Sequence, residues 1–186
     1  MATLAQLQNG ELQGIQRLQI SEGLSHFPTE IFELADTLEI LDLSGNCLSH
    51  LPDDLNRLHQ LKIIFCSNNQ FTELPTVLGS CPNLSMVGFK SNLIKQVDAS
   101  ALPKNLRWLI LTDNKIKQLP EELGLCSKLQ KLMLSGNCLI ELPQSLNNCS
   151  QLELIRIASN QLTSFPSQLL NLPRLAWLAF SDNPFL

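Results

Sequence analysis

Residues 38–46 read LEILDLSGN, and variants of that phrase return as LKIIFCSNN (61–69), LSMVGFKSN (84–92), LRWLILTDN (106–114), LQKLMLSGN (129–137), LELIRIASN (152–160) and LAWLAFSDN (175–183). The closing asparagines are Asn46, Asn69, Asn92, Asn114, Asn137, Asn160 and Asn183, spaced by 23 residues except for 22 between Asn92 and Asn114. A fixed period of this length marks a solenoid, in which one small unit stacks on copies of itself. Such a chain offers a surface rather than a pocket built around a nucleophile.

The unit from Leu38 to Gln60 shows how one repeat is built. Leu38, Leu41 and Leu43 turn inward from a short strand, while Ile40 and Asp42 point the other way because strand side chains alternate. Asn46 follows where the chain must turn, and its amide can bond backbone groups of its own and the neighbouring turn. Leu48 and Leu51 fill the core from the turn, Pro52 presets the return path, and Leu55 and Leu58 anchor a short helical or irregular return. Each buried leucine contributes roughly 1.5–3 kcal/mol, but only when neighbouring units cover it.

This phrase, followed by a hydrophobic–proline step, resembles the leucine-rich repeat pattern L-x-x-L-x-L-x-x-N-x-L-x-x-L-P. The step is present as Phe27-Pro28, Leu51-Pro52, Leu74-Pro75, Leu119-Pro120, Leu142-Pro143 and Phe165-Pro166. The resemblance covers residues 15–186 as about eight repeats, the last incomplete, and implies an α/β solenoid. Its expected form is a right-handed curved horseshoe arc, with parallel strands on the concave face and short returns on the convex face. Eight strands at about 4.8 Å spacing would make a sheet roughly 34 Å across. Two places depart from the pattern: Val97-Asp98 replaces the proline step in a repeat one residue short, and Ser21–Leu24 has no aligned asparagine. Both are expected to be locally irregular.

One continuous core predicts a single domain over 1–186, with 1–14 as an N-terminal helical cap. Thr3 and Gln6 have capping-box spacing, Leu4 and Leu7 share a helical face, and Gly10 suits the helix end. At the other end, Asn183-Pro184-Phe185-Leu186 carries no polar capping unit, so the open side of the last repeat is expected to be apolar. That favours a fragment of a longer chain, or end-to-end self-association there. The N-terminus lacks the basic start and apolar run of a secretory signal, and no stretch is long enough for a membrane span. Cys66, Cys81, Cys126 and Cys149 occupy slots that hold leucine elsewhere, which predicts small buried hydrophobes in a reducing cytoplasm. A net charge of −4 with scattered lysines and arginines argues against a nucleic-acid partner.

The outward strand positions form two columns across the repeats. One reads Arg17, Ile40, Ile63, Met86, Trp108, Lys131, Leu154, Trp177; the other reads Gln19, Asp42, Phe65, Gly88, Ile110, Met133, Arg156, Ala179. A solvated sheet face should be polar there, and contiguous apolar patches mark interaction sites. The expected partner-binding residues are therefore Ile40, Asp42, Ile63, Phe65, Met86, Gly88, Trp108, Ile110, Met133, Leu154, Arg156 and Trp177. Gly88 is expected to leave a dimple for an inserted side chain, with Arg17, Asp42, Lys131 and Arg156 orienting the partner from the edge. The competing explanation is a drift of tolerant strand positions toward β-formers, or cover from another part of the same protein.

Other clusters point to structure. Ser21, Ser44, Ser67, Thr112, Ser135 and Ser181 form a small-hydroxyl column suited to turns. His26, His50 and Glu73 share an edge slot that could approach a metal, but the column continues as Gln96, Gln118, Glu141 and Ser164, a solvated edge. No metal or cofactor is expected. Nothing resembles a phosphate-cradling glycine loop or a nucleophile elbow, and the paired acids Asp53-Asp54 and Glu121-Glu122 suit helix starts.

The function these features favour is a non-catalytic protein–protein interaction module. Phrases such as IFELADTLEILDLSGN, LRWLILTDN and RLAWLAFSDNP also resemble the N-terminal repeats of bacterial leucine-rich repeat protein kinases. That likeness implies a regulatory or substrate-recruiting arm of a larger Ser/Thr-kinase-like protein, with no kinase motif in these residues. A bacterial effector using the same scaffold is the third possibility.

Overall fold

A stack of near-identical turns puts every strand beside its sequence neighbour. The computed structural model describes residues 2–186. Its eight three-residue strands are β1 (Arg17–Gln19), β2 (Ile40–Asp42), β3 (Ile63–Phe65), β4 (Met86–Gly88), β5 (Trp108–Ile110), β6 (Lys131–Met133), β7 (Leu154–Arg156) and β8 (Trp177–Ala179). They form one open parallel sheet in sequence order. The register pairs equivalent residues throughout, from Arg17↔Ile40 to Arg156↔Ala179. The 22-residue repeat causes no slip, since Gly88 still pairs with Ile110.

The central residue of each strand from β1 to β7 points into the core and is fully buried (Leu18, Leu41, Ile64, Val87, Leu109, Leu132, Ile155). Opposite the sheet, the returns are short 3-10 turns, such as Thr29–Leu34, Thr76–Ser80, Glu121–Leu125 and Gln144–Asn148. Proline supplies the extended residue before most of them, which fixes φ and needs no N–H partner. In the short repeat, Asp98 takes over that position. Its carboxylate accepts the Ser100 N–H at 2.8 Å, and a three-residue turn, Ala99–Ala101, absorbs the missing residue. The irregularity expected of this repeat lies in its return; in the first repeat it lies in the turn, where the left-handed residue is Gly23, directly before Leu24. Gly79 sits against the Ala99–Ala101 turn: a Cβ there would run into the Ser100 carbonyl.

The asparagines are the second organising device. Each is buried, and each amide ties two repeats together. Asn137 is typical: its Oδ1 accepts the Ile116 N–H at 3.1 Å, and its Nδ2 donates to the carbonyls of Leu111 and Leu134, both at 2.9 Å. The first repeat needs no asparagine of its own for its turn, because Asn46 reaches back to the N–H groups of Glu22 and Leu24. The residue before each asparagine is left-handed, whether it is Gly45 and Gly136 or Asn68, Ser91, Asp113, Ser159 and Asp182.

Helix α1 (Leu4–Gln8) covers the first repeat. Thr3 and Gln6 form the expected reciprocal capping box, the Leu4 N–H donates to Glu22, and Leu7 is buried. Cys66, Cys81, Cys126 and Cys149 are buried free thiols. Burial pushes Cys81 and Cys149 up to about 11 and Cys66 further still. At the last repeat the core opens. Leu178 and Phe180 are only half-buried where Ile155 and Ile157 are sealed, and Phe165, Phe180 and Phe185 cluster there.

Candidate functional site

The outward residues of the strands lie in two straight rows because the register is unbroken. Ile40, Ile63, Met86, Trp108, Lys131 and Leu154 are half-buried neighbours in the first row, ending at Trp177, which is 58% exposed. Asp42, Phe65, Ile110 and Met133 are half-buried in the second, and Arg156 is exposed. Apart from Gly88, every residue expected on the binding face thus lies on the open side of one sheet.

Gly88 differs from expectation. It is buried, and the Phe65 ring lies over it, so that a Cβ at Gly88 would stand 2.5 Å from a ring carbon. The missing side chain makes room for a neighbour rather than for a partner, and the dimple is filled from within. Phe65 is half-buried and remains part of the apolar surface.

Lys131 also sits differently. It lies between Trp108 and Leu154 in the first row, inside the apolar ribbon, and its Nζ is 3.8 Å from the centroid of the Trp108 ring. A cation over the indole face is favourable by roughly 0.5–1 kcal/mol at an exposed site. Near the other end, Lys62 and Glu39 pair at 2.8 Å and the Asp42 carboxylate accepts the Ser44 N–H.

The remaining clusters have structural partners. Ser21 Oγ donates to the Gly45 carbonyl, and the Ser44 hydroxyl accepts the Ser67 N–H, as a turn column should. His26 and His50 bond the hydroxyls of Ser25 and Ser49 beside them. Glu121 does more than start its own turn. Its carboxylate accepts the N–H groups of Ser145 and Gln144 in the next repeat, which hold it below the usual carboxylate range. A cleft of about 490 Å³ lies between Val97-Asp98 and the Leu119-Pro120 step of the next repeat, lined by Lys95, Asp98, Lys117 and Gln118 among others. It gathers no nucleophile beside a base.

Leucine-rich repeat signatures match residues 37–58 and 104–162. A leucine-rich repeat protein of Leptospira interrogans superposes on 98% of this chain with a TM-score of 0.57 and 23% identity, the overlap covering 65% of that protein. The chain's fold is that of a leucine-rich repeat solenoid. Curated relatives match parts of the chain: an adenylate cyclase of Podospora anserina is 32% identical over 103 residues, 53% of this chain and 5% of the cyclase. A protein phosphatase PHLPP-like protein of Drosophila melanogaster is 36% identical over 87 residues, 46% of this chain and 9% of the phosphatase. Leucine-rich repeat and WD repeat-containing protein 1 of Xenopus tropicalis is 33% identical over 85 residues, 44% of this chain and 12% of that protein. The solenoid therefore spans a small part of these relatives' length. Among its described residues no helix is long and apolar enough to cross a membrane.

Proposed function

We propose that this solenoid is a non-catalytic, cytoplasmic protein-interaction module, one domain long, which binds a protein segment across its concave sheet face. The observation that carries the proposal is the in-register ribbon of Ile40, Ile63, Phe65, Met86, Trp108, Ile110, Met133, Leu154 and Trp177. A scaffold needs only the inward row to fold, so apolar side chains on the open row need a separate reason. Tryptophan and methionine there suit recognition, since one supplies large rigid contact area and the other adapts. Affinity capture from native lysate with mass spectrometry, comparing wild type with Phe65→Asp/Trp108→Asp, tests the face. A protein retained by wild type and lost by the still-folded variant supports the proposal; equal retention overturns it.

A second reading rests on the lengths of the relatives. In the cyclase and the phosphatase the matching stretch is a small fraction of a large protein. The solenoid would then be the regulatory or substrate-recruiting arm of a larger signalling protein. The kinase-like parent implied by the repeat phrases and an effector parent are two forms of this reading. Sequencing the gene on either side of these residues separates them.

A further inference from the structure

Two cations in the binding ribbon have no acidic partner. Lys131 opens β6 and Arg156 closes β7, on adjacent strands and on the same sheet face. Parallel-strand geometry puts their Cβ atoms about 8 Å apart, close enough for both long side chains to reach one group. Among the described residues neither forms an ion pair. Glu153, three residues before Arg156 in the chain, pairs with neither. At the other end of the sheet, Lys62 is neutralised by Glu39. The chain as a whole carries −4, so this unpaired doublet runs against its own charge balance.

The doublet's surroundings are apolar. Lys131 lies against Trp108 and between Trp108 and Leu154 in its row; Arg156 lies between Met133 and Ala179 in the other. Like charges on neighbouring strands repel, and the contact of Lys131 with Trp108 supplies no counter-charge to either cation. A ligand carboxylate set between them would be held by charge-assisted hydrogen bonds, one of them from a guanidinium fork, beside side chains that exclude water.

Resting on the concave-face reading, we infer that the bound partner is a peptide segment with an Asp or Glu side chain flanked by apolar residues. Its carboxylate docks between Lys131 and Arg156, and its apolar residues lie on Phe65, Trp108, Ile110 and Met133. Charge complementarity thus fixes where along the ribbon the acidic position sits, at β6 and β7.

The test is to pan a random peptide library displayed on phage against three folded proteins: wild type, Lys131→Glu/Arg156→Glu and Phe65→Asp/Trp108→Asp. The expected result is a wild-type consensus with an acidic residue inside an apolar stretch, lost on both variants, with basic residues replacing acidic ones on the charge-reversed protein. Changing the acidic residue of a synthetic consensus peptide to its amide should weaken binding at least about tenfold in fluorescence anisotropy. A consensus that needs the apolar ribbon but has no acidic preference, or survives charge reversal, overturns this inference and leaves the concave-face reading standing. Enrichment indifferent to Phe65→Asp/Trp108→Asp, or none at all, overturns both.

Discussion

Replacing Asn137 by alanine removes the Ile116 N–H bond to Oδ1 and the Nδ2 bonds to Leu111 and Leu134. The two carbonyls keep partners, because Asn114 also donates to Leu111 and Asn160 also donates to Leu134. The Ile116 N–H has no other acceptor, and at a buried residue it would be left unpaired. Three bonds at about 1 kcal/mol each, with part of the desolvation cost of one orphaned donor, give a loss of about 3–4 kcal/mol. Equilibrium urea unfolding followed by circular dichroism should show it as a lower midpoint, with a slope that reports whether the stack still unfolds as a unit. Asn137→Asp keeps the acceptor but turns a carboxylate toward two carbonyls, so it should be at least as damaging at neutral pH. Burial beside carbonyls raises the folded carboxyl above its unfolded value, so stability returns as pH falls and the acid takes up the proton that restores a donor. A loss under about 1 kcal/mol for Asn137→Ala would refute the claim that the amide ladder joins the repeats.

Four further outcomes follow from named contacts. Leu109→Ala, in the buried strand position, should cost roughly 2–5 kcal/mol of stability. Trp108→Ser, one residue away on the open face, should cost about 1 kcal/mol in the same urea titration while weakening partner binding by about 2 kcal/mol. Gly79→Ala forces a methyl group into the Ser100 carbonyl and should lower stability by roughly 1–3 kcal/mol, measured by thermal unfolding. The Glu121 carboxylate sits below its ordinary value near 4.5, so its stabilisation is present above that pH and lost as pH falls through the lower folded value. Glu121→Gln should therefore be less stable than wild type at pH 7 by urea midpoint, with the gap closing as pH falls below the ordinary carboxylate range.

The strand register, the inward leucines, the capping box and the amide ladder were legible because each is a local pattern repeated or paired at fixed spacing. The left-handed turn residue could have been found the same way, since Asn68, Ser91, Asp113, Ser159 and Asp182 fill the slot of Gly45 and Gly136. What escaped was side-chain placement between repeats. Nothing in Gly88 says that Phe65 will lie over it, because a missing Cβ predicts space and not its occupant. Lys131 reads as an edge charge in a column, yet its ammonium settles on Trp108. Glu121 suits a helix start by sequence, but its oxygens serve the next repeat's turn. A periodic sequence fixes where each Cα sits; the rotamers that bridge repeats depend on neighbours specific to one place in the stack.

The claim that the open sheet face is where a partner binds can be tested by photo-crosslinking in native lysate. A benzophenone amino acid would replace Met133, on the sheet, or Leu125, which is 78% exposed on the side of the 3-10 returns. The account predicts a discrete protein adduct from the Met133 probe and none from the Leu125 probe; an adduct from Leu125 alone, or equally from both, would contradict it.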